Sequence, residues 1–159
     1  VLVLLFFGLV PVCLTYYVTM PPASQTITAQ VVWASLACGL VIDTLLVVNN
    51  YRDYDQDRAV GKKTLIVRIG RERAEQLYGW LGNIATYMMW GCLVLGDSSF
   101  VLMLVCFARF VPYALLHGAT RVQMRRIGRG RELNKVLGMT ARNMFVFGVT
   151  TAIVTLFIL

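Results

Sequence analysis

The chain has 159 residues, of which 58% are hydrophobic and only 14% charged, with a mean hydropathy of +0.68. Soluble domains carry about 25% charged residues and leave much of their surface in water. A soluble enzyme, a disordered chain and a disulfide miniprotein are therefore excluded, and the membrane class remains. The net charge of +7 comes with no base-reading motif, so nucleic acid is not an expected partner.

A spanning helix needs about 20 mostly apolar residues. In chain order, residues 1–19, 27–50, 74–95, 100–117 and 139–159 qualify. Backbone polar groups in lipid must be satisfied internally, and the alternation of a barrel is missing. The expected fold is therefore all-α: a polytopic transmembrane bundle, with five helices in this chain. The first apolar stretch opens without a polar lead-in and the last ends without one. The chain thus reads as a piece of a longer protein, its N-terminal part missing. No basic region or small-residue cleavage site marks a signal peptide before the first stretch.

The connections sort the charge. Residues 20–26 hold no Lys or Arg, and residues 96–99 hold none either but carry Asp97. Arg52, Arg58, Lys62, Lys63, Arg68, Arg71 and Arg73 lie in 51–73, and Arg121, Arg125, Arg126, Arg129, Arg131, Lys135 and Arg142 lie in or beside 118–138. The positive-inside rule places both basic connections in the cytoplasm, where they also meet anionic lipid. Cys13, Cys38, Cys92 and Cys106 are isolated in different spans; none has the spacing of a zinc site.

The second span runs into Asn49-Asn50-Tyr51-Arg52-Asp53-Tyr54-Asp55-Gln56-Asp57-Arg58, followed by Gly61-Lys62-Lys63-Thr64-Leu65. If the helix continues at about 100° per residue, Asn49, Asn50, Asp53 and Asp57 share one face, Asp43 lies deeper on the same stripe, and Asp55 points the opposite way. Oxygen-only donors at this spacing suit a hard cation such as Mg²⁺, which is usually held by one or two carboxylates together with phosphate oxygens. Arg58, Lys62, Lys63 and Arg68 just beyond suit the remaining phosphate charge. A solvated helix end is the plainer alternative. An EF-hand fails, because Arg58 and Thr64 occupy its glycine and glutamate positions. A phosphate-gripping P-loop fails for want of the earlier glycine and a preceding strand.

The run Asn49-Asn50-x-Arg52-Asp53-x-x-x-Asp57-x-x-x-Gly61-Lys62-x-Thr64-Leu65, with Val67-Arg68-x-Gly70 after it, resembles the second aspartate-rich motif of the UbiA superfamily of intramembrane prenyltransferases. Its wording is most similar to the 1,4-dihydroxy-2-naphthoate polyprenyltransferase branch of menaquinone biosynthesis. Gly8-Leu9-Val10-Pro11, Thr15-Tyr16-Tyr17 and Leu133-Asn134 agree with the surrounding layout. The resemblance implies a nine-helix bundle, with this chain as helices five to nine of a single prenyltransferase domain and the first aspartate-rich motif missing. It implies Mg²⁺-dependent transfer of a polyprenyl group from its diphosphate to dihydroxynaphthoate, with loss of pyrophosphate and carbon dioxide to give demethylmenaquinone. Asp53 and Asp57 become the catalytic metal pair, with Asn50 as a further ligand. Asn49, Asn50, Arg52, Lys62 and Arg68 become diphosphate contacts, and the fragment alone is expected to be inactive. The implied setting is the bacterial cytoplasmic membrane, with the lipid bilayer as partner and the site facing the cytoplasm.

Some residues stand outside the motif. Asp43 and Arg109 are intramembrane charges that should face the bundle interior or each other; Asp43 is a candidate for the acceptor cavity. His117 is expected at the cytoplasmic interface, and residues 51–73 are expected to cap the site. Two alternatives remain open here: another UbiA-type acceptor (4-hydroxybenzoate, haem or glyceryl phosphate), and a membrane transporter or scaffold subunit without catalysis.

Overall fold

The computed structural model describes residues 2–94 and 99–158; Asp97 and both chain ends lie outside them. The described residues are helical with no strand. A π-helical segment, Leu4–Leu9, leads into α1 (Val10–Thr19). Pro11 has no N–H to return to the preceding turn, and the Val10 N–H reaches back to the Leu5 carbonyl, the wider spacing of a π turn. A short 3₁₀ turn at Pro22–Ser24 follows. Thr28 then caps α2 (Ala29–Arg52) by accepting a hydrogen bond from the Val31 N–H.

Beyond α2 come two short helices, α3 (Tyr54–Ala59) and α4 (Leu65–Ile69), and three long ones: α5 (Arg71–Val94), α6 (Phe100–Ile127) and α7 (Leu133–Ile158). Ala29–Arg52, Met103–Ile127 and Leu133–Leu156 are long and apolar enough to cross a membrane, while Leu4–Thr19 is apolar but shorter. α5 is diluted by Tyr78, Trp80, Asn83, Tyr87 and Trp90 and opens on Arg71, Glu72 and Arg73. Length and composition thus support three of the five expected spans. The fourth runs ten residues past its expected end at His117, so Arg121, Arg125 and Arg126 stand on helix rather than in a loop.

Two buried layers hold the bundle. Ala37, Val41, Ala85, Met89, Phe110 and Phe147 pack in one. Val48, Tyr51, Ile66, Ala74, Met124 and Val136 pack in the other, beneath the end of α2. Phe6, Phe7, Trp33, Trp80, Leu115 and Phe145 face outward, as lipid-facing side chains do. The π-helical segment meets α2 through small residues. A Cβ on Gly8 would stand 2.7 Å from the Ser35 carbonyl oxygen and 2.9 Å from the Gly39 Cα, and Ser35 and Gly39 are spaced as the small residues of membrane-helix contacts are.

His117 is corrected from an interface residue to a core one. It is 2% exposed because α6 continues past it. Its ring stacks on Tyr78 at 4.4 Å between centroids, and Nε2 donates to the Tyr78 carbonyl at 3.0 Å. Gly82 makes room for it: a Cβ there would meet the imidazole at 2.3 Å. Arg109 is corrected as well. It is exposed on α6 rather than turned into the bundle.

Arg71 binds the polar end together. Nη1 donates to the carbonyls of Tyr51 (3.1 Å) and Gly128 (2.6 Å), and Nη2 donates to Asp55 Oδ2 (3.0 Å). Its guanidinium lies 4.8 Å from the ring centres of both Tyr51 and Tyr54. One side chain thus joins the end of α2, α3 and the turn after α6. Hydrogen bonds to a charged donor contribute about 1.5–3 kcal/mol each, whereas the Asp55 pair is exposed and adds little.

Two stability measurements follow. Arg71→Met should lower stability by roughly 2–4 kcal/mol through the two carbonyls left without a donor, read as a lower thermal midpoint in detergent. Arg71→Lys should recover only part of it, because an ammonium neither forks nor stacks. Gly8→Leu should cost about 1–3 kcal/mol by forcing the π-helical segment away from α2; an unchanged midpoint would contradict the close approach.

Candidate functional site

The candidate site is the junction where α2 gives way to α3. α2 closes at Asp53, whose backbone (φ −86°, ψ 3°) leaves the helical region. The ladder still crosses the break: the Asp53 N–H reaches the Asn49 carbonyl at 3.1 Å, and the Asp57 N–H reaches the Asp53 carbonyl at 2.8 Å. The helix therefore continues in pitch with one kinked residue.

Asp53 is gripped in a fork by Arg52, Nε to Oδ1 at 2.8 Å and Nη2 to Oδ2 at 3.0 Å. The same guanidinium donates to Asn49 Oδ1 at 3.0 Å and to Asn134 Oδ1 at 3.1 Å. Asn49, Arg52 and Asp53 thus form one cluster, which Asn134 at the start of α7 joins. The Arg52 hydrogen bonds hold the Asp53 carboxyl below the usual carboxylate range, so it is ionised at neutral pH.

Asp57 is buried, and its Oδ1 accepts from Lys62 Nζ at 3.0 Å. Its Oδ2 is buried with no hydrogen-bond partner in the structure. The reason Lys62 reaches it is local. α3 ends in a Schellman turn: the Lys62 N–H bonds the Asp57 carbonyl at 2.8 Å and the Gly61 N–H bonds the Arg58 carbonyl at 3.2 Å. Gly61 supplies the required positive φ of 72°. The chain doubles back, Thr64 caps α4 by accepting from the Val67 N–H, and Ile66 anchors this cap in the lower core at 1% exposure. Residues 53–70 thus turn back at the end of α2.

The remaining residues of the motif disperse around the junction. Asp53 borders a polar cleft of about 320 Å³ with Arg52, Gln56, Arg131 and Asn134. Asp55, expected to point away, is exposed yet borders the same cleft. Asn50 and Asp43 line a separate cavity of about 350 Å³ against α5. Asn49 stands at the polar end of an apolar groove of about 580 Å³ along Phe7, Leu45, Leu46 and Gly138. Arg68 is exposed on α4, apart from both ion pairs.

The donor set bears on a metal. Among the described residues no three His, Cys, Asp or Glu side chains group tightly enough to cage an ion. Two carboxylates with amide neighbours, one carboxylate oxygen unpartnered, fit instead a hard cation that keeps water and phosphate ligands. Sequence reasoning assigned Arg71 and Asn134 no site role; their signal, a basic residue just after a glycine and an amide at a helix start, has many readings.

Comparison with known proteins places this arrangement. The UbiA prenyltransferase family matches residues 1–135. The 1,4-dihydroxy-2-naphthoate octaprenyltransferase of Escherichia coli is 30% identical over 85% of this chain and 45% of its own length. That of Mycobacterium tuberculosis is 36% identical over 94% of this chain and 47% of its own length. That of Haemophilus influenzae is 39% identical over 52% of this chain and 26% of its own length. The chain spans less than half the length of these curated relatives, and no solved structure matches it. A match over most of the chain, centred on an apolar helix bundle with an acidic, cation-paired helix junction, shows that the chain belongs to the UbiA prenyltransferase family.

Proposed function

We propose that this chain is the C-terminal part of a membrane prenyltransferase domain that moves a polyprenyl group from its diphosphate onto 1,4-dihydroxy-2-naphthoate. The products are pyrophosphate, carbon dioxide and demethylmenaquinone, and the site faces the cytoplasm. The observation that carries this reading is the junction itself. Two carboxylates close a membrane helix, each has a basic partner, and one buried carboxylate oxygen has none. The names of the relatives support the acceptor.

Members of the family generally depend on a metal, and Mg²⁺ is the proposed ion. When bound, it supplies positive charge to the diphosphate as the allylic carbon–oxygen bond breaks. Asp53, Asp57 and Asn50 are the residues that hold it. Lys62 and Arg52 neutralise these carboxylates in the structure and, with Arg68 and Asn49, offer donors to the phosphate oxygens. The α3–α4 cap limits water at the junction. The apolar groove starting at Asn49 has the chemistry of a prenyl chain, and the bilayer takes up the rest of the tail.

In the full-length protein, Asp53→Asn or Asp57→Asn should lower prenyl transfer at least about a hundredfold while leaving the thermal midpoint nearly unchanged. Asp55→Asn, which touches only an exposed ion pair, should keep most of the activity. Full activity in either of the first two rejects the metal site. Membranes given dihydroxynaphthoate, a polyprenyl diphosphate and Mg²⁺ should yield a naphthoquinone by mass. Prenylated 4-hydroxybenzoate and no naphthoquinone would move the acceptor assignment within the superfamily.

A further inference from the structure

The Asp43 carboxylate is the one acidic group inside α2, about two helical turns below Asn50. A carboxylate within a membrane helix is costly and is retained where it meets a partner or a cavity. No hydrogen bond or ion pair among the described residues holds it. It borders the cavity of about 350 Å³ whose other walls are Val47, Leu77 and Leu81 and whose polar mouth is Asn50 and Thr64. This volume lies within the range of small-molecule sites, about 300–1,000 Å³. The walls are largely apolar, Asp43 offers a hydrogen-bond acceptor, and Asn50 of the same cavity stands three residues before Asp53 of the acidic junction.

We propose that this cavity receives the aromatic acceptor and that Asp43 accepts a hydrogen bond from one of its ring hydroxyls. The ring then lies against Val47, Leu77 and Leu81, with a ring carbon turned towards the junction. The negative charge of the substrate stays at the mouth, near Asn50 and Thr64, because a second carboxylate beside Asp43 would be repelled. A carboxylate selects a ring that carries a hydroxyl donor over one that has lost it, since the half-buried acceptor otherwise loses that bond. This inference rests on the prenyl-transfer reading and specifies where that reaction takes its second substrate.

The test uses the full-length protein in detergent, with 1,4-dihydroxy-2-naphthoate and its di-O-methyl ether as probes. Equilibrium binding is followed by fluorescence, and KM is measured for each substrate. The wild type should bind the dihydroxy compound about ten- to a hundredfold more tightly than the ether. Asp43→Leu should lose most of that discrimination, and Asp43→Asn, whose amide oxygen still accepts, should lose only part of it. Both should raise KM for the acceptor while moving KM for the prenyl diphosphate less than about twofold. Unchanged discrimination in Asp43→Leu overturns the proposal. So does a loss of thermal stability with acceptor KM unaltered, which would make Asp43 a structural group. A wild type that binds the aromatic compound but transfers no prenyl group would instead refute the proposed reaction and leave the cavity assignment standing.

Discussion

Arg71 holds the polar end of this bundle from a single guanidinium. It bonds the last turn of α2, Asp55 of α3 and the carbonyl of Gly128, and it lies 4.8 Å from the centres of two tyrosine rings. Everything about the junction depends on that arrangement. α2 carries its polar end out of an apolar span, and the chain must then turn back so that α5 can pack against it. A lysine gives no planar fork to join three segments at once, and an apolar residue leaves two carbonyls without a donor. The cap over the end of α2 is thus built on one cation rather than on hydrophobic burial alone, with Ile66 as its apolar anchor.

The same logic of counter-charges governs the carboxylates. Asp53 and Asp57 each take a basic neighbour from the adjoining chain, Arg52 by sequence adjacency and Lys62 by the Schellman turn at Gly61. These pairs keep the acidic junction close to neutral without a ligand. They also place cations where a charged diphosphate is proposed to sit. Arg52 further ties the junction to α7 through Asn134, so the acidic motif and the last helix are mechanically linked.

Much of this was legible in the chain. The apolar lengths predicted α2, α6 and α7, whereas Gly61, Lys62 and Thr64 stood in the sequence only as parts of the motif. Their individual roles emerged only from the hydrogen bonds. The spacing of Asn49, Asn50, Asp53 and Asp57 placed them on one face, and the ladder across the junction keeps that pitch. Yet these residues open onto different spaces, because a groove, a cavity and a cleft meet at that end of α2. His117 was misplaced for a related reason. Hydropathy ended the fourth span at its last apolar residue, whereas the helix continued and carried His117 into the core against Tyr78 and Gly82.

The sequence by itself determined the helical class, the membrane setting and the acidic, cation-flanked segment that identifies the family, since these follow from composition and from spacing along one helix. Only the tertiary structure decided which partner each charged group meets. Helical periodicity sets the angle of a side chain about its own axis, but not what stands opposite. Arg71 on two distant carbonyls, Arg52 on Asn134 and Asp43 on an apolar cavity all depend on how separate helices pack against one another.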